Sequence, residues 1–107
     1  MSLIAISARL EIEAGRIDDY LAAVADIIER TRAEAGCRVY AFARDIQIPN
    51  VLWISEEWDS DAALDEHLKS PHIRAFLKQV ADIGLPSVDV RKYTVSAVGT
   101  VEHSHLD

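Results

Sequence analysis

Four side chains have the residue types of an enzyme site: Glu56 and Trp58 on one segment, and His67 and His72 shortly after it. An imidazole titrates near neutral pH, which suits His67 to take a proton from a bound substrate. Glu56 and Trp58 share one face of a predicted strand, because alternate strand residues point the same way. A carboxylate among apolar neighbours needs a partner, or its pKa rises. The pattern indicates a pocket in which Glu56 orients a histidine or acts as a base itself.

Each of these side chains also has a purely structural interpretation. His67 falls on the same helical stripe as Leu64 and Leu68. It can therefore be a histidine at the edge of the core, bonded to the backbone or to Glu56. Trp58 can be a packing residue, as most aromatic residues on strands are. His72 falls in the first turn of a predicted helix, where a side chain is often exposed.

The histidines do not have the spacing of a metal site. His67 and His72 are five residues apart, which is not the i,i+4 spacing of a metal-binding pair on a helix. His103 and His105 form an HSH tail without a suitably spaced third ligand. The sequence also has no Gly-rich phosphate loop, Cys/His cluster or nucleophile elbow. We therefore expect no metal, nucleotide or flavin cofactor.

The hydrophobic pattern predicts seven elements of secondary structure. Strands are predicted over 3–12, 37–46, 51–58 and 87–98, and helices over 16–35, 61–69 and 71–83. Gly36 is predicted to end the first helix. Ser60 is predicted to cap the second helix, and Ser70 followed by Pro71 to begin the third. The order β-α-β-β-α-β, with its second helical arm broken at Pro71, predicts an α+β ferredoxin-like fold: a four-stranded antiparallel sheet with helices on one face.

Both faces of the predicted sheet carry apolar residues, although helices cover only one. Trp53, Val51, Val39, Ala41 and Ala5 alternate with Leu52, Ile54, Tyr40, Phe42 and Ile6. A face in contact with water alternates more sharply with polar residues, and an uncovered apolar face is an interaction surface. The simplest cover is the same face of a second copy about a two-fold axis. We therefore predict a homodimer through the open sheet face, the alternative being a monomer with a mildly apolar outer face.

Composition limits the size, partners and location of the protein. A chain of 107 residues allows one domain over 1–107, with a core over about 3–98 and a polar tail over 99–107. The net charge of −7, without a Lys/Arg cluster, argues against nucleic acid and anionic membranes as partners. We expect no membrane span and no signal peptide. Cys37 is the only cysteine, which fits a buried thiol in a cytoplasmic protein.

Several short motifs resemble the antibiotic biosynthesis monooxygenase (ABM) family over about residues 3–98. They are Gly36-Cys37 followed by Tyr40, Glu56-Glu57-Trp58, and His67-Leu68-Lys69-Ser70-Pro71-His72 with Ala75-Phe76. The resemblance implies a dimeric α+β barrel with a small-molecule cleft between the sheet and helices of each subunit. It implies no cofactor, because some members of the family oxygenate hydroquinones or anthrones with O2 alone.

The resemblance also implies roles for individual residues. His67 is implied as the base or the residue that binds the substrate anion, with Glu56 orienting it. The other implied pocket residues are Trp58, His72, Tyr40 and Phe76. The implied function is cofactor-independent monooxygenation of a small quinol- or anthrone-like aromatic. Two alternatives stay open: an isomerase that uses the same histidine without O2, and a non-catalytic small-molecule-binding or stress protein.

Overall fold

A computed structural model describes residues 2–102. The elements are β1 (Leu3–Glu11), α1 (Ile17–Arg32), β2 (Cys37–Arg44), β3 (Val51–Trp58), α2 (Asp61–Leu68), α3 (Pro71–Gln79) and β4 (Ser87–Val95). Their order is the predicted one. His103 and His105 lie outside the described residues.

One four-stranded antiparallel sheet organises the molecule, with the strand order β2-β3-β1-β4. This order confirms the predicted α+β ferredoxin-like arrangement. In the sheet register, Glu56 lies opposite Ile6 of β1 and Tyr40 of β2. Trp58 lies opposite Ile4 and Cys37. The register therefore puts Tyr40, Glu56 and Trp58 on one face of the sheet, side by side.

The hydrophobic core lies between that face and the helices. The alternating residues of β1 are buried, and Trp58 and Leu52 of β3 are completely buried. Tyr20 of α1 contacts Phe76 of α3 edge to face, with ring centroids 5.6 Å apart. Burial of these apolar side chains fixes the helices on the sheet.

Helix ends are where the sequence prediction was least accurate. Helix α1 ends at Arg32, three residues before the predicted end. Its C-cap is therefore Ala33, whereas the sequence placed the cap directly before Gly36. Strand β4 ends at Val95 and helix α3 at Gln79, also earlier than predicted. The caps of the second and third helices were predicted correctly: Ser60 accepts from the backbone of Ala63, and Ser70 from that of Ile73.

The predicted apolar stripes of α2 and α3 were too wide. Leu68 is 57% exposed and Leu77 is 56% exposed. Leu68 is the last residue of α2, beyond the single turn that packs on the core through Leu64 and His67. Leu77 lies at the border of the stripe that Phe76 buries, because one residue is a rotation of about 100° on a helix.

The outer face of the sheet is a mixture of small, apolar and charged side chains. Trp53 is 44% exposed and Tyr93 is 48% exposed. The guanidinium of Arg9 lies 5.8 Å from the centre of the Trp53 ring. Val51, predicted on this face, is instead fully buried where the 45–50 connection folds back on its strand. No helix within residues 2–102 is both long and apolar enough to cross a bilayer.

Candidate functional site

A tight turn after α1 carries Glu34 towards α2. The backbone N–H of Glu34 donates to the carbonyl of Thr31, which closes the last helical turn. Gly36 has φ +85°, and a Cβ there would lie 2.6 Å from the Cβ of Ala63. Only glycine allows both this conformation and this close approach. The turn therefore packs directly against α2 and brings Glu34 beside its last turn.

The link between α2 and α3 places two histidines next to each other. The hydroxyl of Ser70 donates to the carbonyl of His67 at 2.7 Å, and Ser70 also caps the following helix. Pro71 occupies the start of that helix, where its missing N–H costs nothing. The rings of His67 and His72 consequently lie with their centroids 6.3 Å apart.

One carboxylate oxygen joins the two imidazoles. Oε2 of Glu34 lies 2.8 Å from Nδ1 of His67 and 2.8 Å from Nε2 of His72. The side chains of His67, His72 and Glu34 are 4%, 13% and 16% exposed. An ionised carboxylate only accepts hydrogen bonds, so both of these nitrogens carry hydrogen. Nε2 of His67 and Nδ1 of His72 are then the nitrogens with a free lone pair when the rings are neutral.

Aromatic residues of the sheet enclose His67. The ring of Trp58 packs against it with centroids 4.6 Å apart and planes inclined by 35°. Tyr40 approaches it edge-on, with centroids 5.4 Å apart. Burial raises the pKa of the Tyr40 hydroxyl, so this group is a neutral donor. Two aromatic rings therefore hold the imidazole in place, in addition to its hydrogen bond.

Glu56 does not make the contact that the sequence predicted. Its Oε1 accepts a 2.9 Å hydrogen bond from Nε1 of Trp58, while the carboxylate that bonds to Nδ1 of His67 is that of Glu34. Burial raises the pKa of Glu56, although the bond from Trp58 opposes the rise. Glu56 thus orients Trp58, and Trp58 packs on the histidine.

The structure gathers most of the predicted site residues. Tyr40, Glu56, Trp58 and His67 form one contiguous group. His72, expected to be exposed, is largely buried and joins this group through Glu34. Phe76 lies further along α3 and packs on Tyr20.

Sequence reasoning missed Glu34 because it assigned that residue to the helix. Helix α1 actually ends two residues earlier, so the carboxylate lies on a turn and not on a helical surface. One signal was available: an acidic residue at the C-terminal end of a helix is unfavourable next to the helix dipole. Such a residue calls for a positively charged or hydrogen-bonding partner elsewhere in the fold.

Two surface cavities flank the cluster. A groove of about 690 Å³ runs between the α1–β2 turn and α2, and Glu34 and Ser70 form part of its wall. Its other charged lining residues are Asp59, Glu66 and Lys69. A smaller cavity of about 280 Å³ between α1 and α3 is lined by residues that include His72 and Phe76. The cluster can therefore be approached from two sides.

The lone cysteine is not part of this chemistry. Cys37 is half-buried, and burial followed by the nearby charge of Glu34 raises the pKa of its thiol. A raised pKa keeps sulfur in the unreactive thiol form at neutral pH.

Comparisons with known proteins identify the family. The sequence pattern of the antibiotic biosynthesis monooxygenase family matches residues 3–79. An uncharacterized Synechocystis protein, sll1783, is 24% identical over 98 residues, which cover 92% of this chain and 67% of that protein. Among solved structures, Rv0793 from Mycobacterium tuberculosis is 29% identical with a TM-score of 0.83, over 92% of this chain and all of that one.

A second solved structure carries a functional name. A Deinococcus radiodurans protein, provisionally described as an antibiotic biosynthesis monooxygenase, is 20% identical with a TM-score of 0.82, over 92% of this chain and 98% of that one. At this identity the likeness shows the fold, and the family match over residues 3–79 adds the relationship. The chain belongs to the antibiotic biosynthesis monooxygenase family.

Proposed function

We propose that this protein is a cofactor-independent monooxygenase that oxidises a small quinol- or anthrone-like aromatic with O2, using His67 as the base. Membership of the family suggests an oxidoreductase. The observation that supports this particular reaction is the hydrogen bond between Glu34 and Nδ1 of His67.

That hydrogen bond defines which nitrogen of His67 acts. A carboxylate on Nδ1–H fixes the tautomer and stabilises the imidazolium that forms when the other nitrogen takes a proton. Nε2 is then the basic atom. It makes no hydrogen bond to a protein group within residues 2–102. The adjacent ring of Trp58 keeps the imidazole in place while it changes charge.

The chemistry needs only a base and a dry pocket. Deprotonation of a phenolic or anthrone substrate gives an electron-rich anion that can pass an electron to O2. In an anthrone, one oxygen atom of O2 replaces both hydrogens of the reacting CH2 carbon as a new carbonyl group. In a quinol, it forms a new ring hydroxyl while the quinol itself is oxidised to the quinone. The other oxygen atom leaves as water in both cases. The substrate supplies all four electrons that reduce O2. No additional reductant is required.

The groove beside Glu34 and Ser70 is the larger of the two cavities next to the cluster, and we propose that substrate enters here. Its wall reaches Glu34 but not His67 itself, so substrate must pass Glu34 to meet the base. Its volume, about 690 Å³, lies within the usual range for small-molecule sites. The groove has four charged lining residues, of which three are acidic and one, Lys69, is basic. This balance disfavours a phosphorylated substrate, such as the sugar-derived substrate of an isomerase, and favours a neutral aromatic.

Oxygen uptake tests the proposal. Purified protein in EDTA would be supplied with reduced naphthohydroquinones and anthrones, and the rate compared with the uncatalysed rate. His67→Gln keeps a polar side chain but has no basic nitrogen, so we expect uptake to fall by about 100-fold or more. Glu34→Gln removes the orienting charge and should also slow the reaction.

A matched control separates chemistry from charge. Asp65→Asn makes the same carboxylate-to-amide change at an exposed position on α2 and should leave the rate unchanged. Equal rates for the wild type, His67→Gln and buffer would contradict the proposed function.

A further inference from the structure

We propose that Glu34, His67 and His72 also form a binding site for a divalent first-row transition metal, of which Zn²⁺ is the simplest case. Each residue offers one ligand atom, and the three atoms lie within 4.8 Å of one another. The spacing of the histidines in the sequence did not indicate such a site. Metal binding here does not depend on the oxygenase activity proposed above.

The two oxygen–nitrogen distances within the cluster are close to those of a metal centre. Zn²⁺ bonds to nitrogen and oxygen are about 2.0–2.2 Å long, so neighbouring ligand atoms of one ion are roughly 3.0–3.5 Å apart. Oε2 of Glu34 is already 2.8 Å from each imidazole nitrogen. Replacing two N–H hydrogens by one ion therefore requires each of these pairs to separate by only a few tenths of an ångström.

The positions of the three ligands differ in rigidity. His67 is fixed by Trp58 and Tyr40 and is almost fully buried. His72, on the first turn of α3, and Glu34, on a turn, both retain some exposure. These two side chains can adjust their approach to the ion. Because Glu34 also lines the 690 Å³ groove, water can reach a further coordination position from there.

The donor set selects the class of metal. Two imidazole nitrogens and one carboxylate oxygen suit Zn²⁺, Fe²⁺, Co²⁺, Ni²⁺ or Cu²⁺, whereas Mg²⁺ and Ca²⁺ prefer oxygen ligands alone. One carboxylate offsets part of the charge of the ion, and Glu66 and Asp59 make the adjoining groove acidic. The net charge of −7 further favours cations over anions.

Metal binding and base catalysis exclude each other at His67. An ion on Nδ1 moves the ring hydrogen to Nε2, which removes the lone pair that the proposed reaction uses. A bound metal should therefore inhibit oxygen uptake. The binding measurement below does not use activity, so failure of the metal site and failure of the oxygenase are distinguishable.

The experiment is a titration of the 107-residue protein with Zn²⁺ by calorimetry, and with Co²⁺ by visible absorption. The background carries His103→Ser and His105→Ser, so that the HSH tail cannot contribute. We expect one ion per chain. Glu34→Gln and His72→Gln should each weaken binding by about tenfold or more, whereas Asp65→Asn should not.

Thermal unfolding shows whether the variants fold and gives a second measure. Zn²⁺ should raise the Tm of the background protein, because an ion that binds only the folded state stabilises it. At the same Zn²⁺ concentration, the rise should be smaller in Glu34→Gln. Absence of binding in the background protein, or equal affinity in the background protein and both site variants, would overturn the proposal.

Discussion

The charge state of single carboxylates is the main electrostatic variable of this site. Glu34 and Glu56 lie near the same histidine but have different partners. Glu34 accepts hydrogen bonds from two imidazoles, those of His67 and His72. Glu56 has one neutral donor, the indole N–H of Trp58, and a mostly apolar environment. The two carboxylates should therefore contribute differently to stability.

Glu56 should make the folded protein less stable as the pH rises. Burial raises its pKa above the ordinary value of 4.5, so the folded state binds this proton more tightly than the unfolded state. The contribution is favourable below that ordinary value and is lost as pH rises through the raised pKa. Glu56→Gln can still accept from Trp58 but does not ionise.

Urea unfolding at about pH 4 and about pH 8 measures this effect. At each pH, the free energy of unfolding of the wild type is subtracted from that of Glu56→Gln. This difference should be more positive at pH 8 than at pH 4. Glu29→Gln, at an exposed position on α1, is the control for a change in net charge. A difference that is the same at both pH values, or smaller at pH 8, would show that Glu56 is not penalised by burial.

At the scale of elements, the turn between α1 and β2 positions the site. It must bring Glu34 to the histidines, and it can do so only if it packs against α2 without a side chain at Gly36. Two features of this glycine can be separated. One is the backbone conformation, φ +85°, and the other is the 2.6 Å approach of an added Cβ to that of Ala63.

Gly36→Ala should lower the free energy of unfolding by more than Gly15→Ala does. Gly15 has nearly the same φ, +83°, but an added Cβ there meets nothing within 4 Å. Its substitution should show the conformational cost alone, about 1–2 kcal/mol. The additional loss at Gly36 measures the contact with α2. Chemical denaturation gives both values.

A double variant checks the assignment of that contact. Gly36→Ala combined with Ala63→Gly removes the clashing methyl group from the other side, so the loss from Gly36→Ala should be smaller in this background. Equal losses at Gly15 and Gly36 would mean that the turn moves away from α2 at no cost.

The sequence predicted elements well where a periodic pattern extends over many residues. The seven elements, their order and two of the helix caps follow from hydrophobic period and turn residues, because burial of a face and capping of an end are local requirements. Glu34 could not be assigned in this way. Its partners lie 33 and 38 residues away, and only the packing of three elements brings them together.

At the scale of the whole molecule, the outer sheet face remains uncovered in a single chain. Ser7 of β1, Ser55 of β3 and Ala41 of β2 lie side by side across the sheet. Small residues in such a row allow a second sheet to approach closely, while Trp53 and Tyr93 supply apolar area. We propose that two copies pack through this face, as sheets of this kind do when each lacks a second layer.

Substitution at the middle of that row tests the homodimer. We expect light scattering on wild-type protein at micromolar concentration to give about twice the chain mass of 11.9 kDa. Ser55→Arg adds a long charged side chain where the sheets would meet, so this variant should be a folded monomer. Ser55 is exposed in a single chain, so the monomer itself should tolerate the change.

The control is Ile46→Arg, which adds the same side chain at a residue that is 99% exposed on the β2–β3 connection. This variant should remain a dimer. A monomeric wild type, or a dimer that Ser55→Arg does not affect, would place any partner of this chain on another surface.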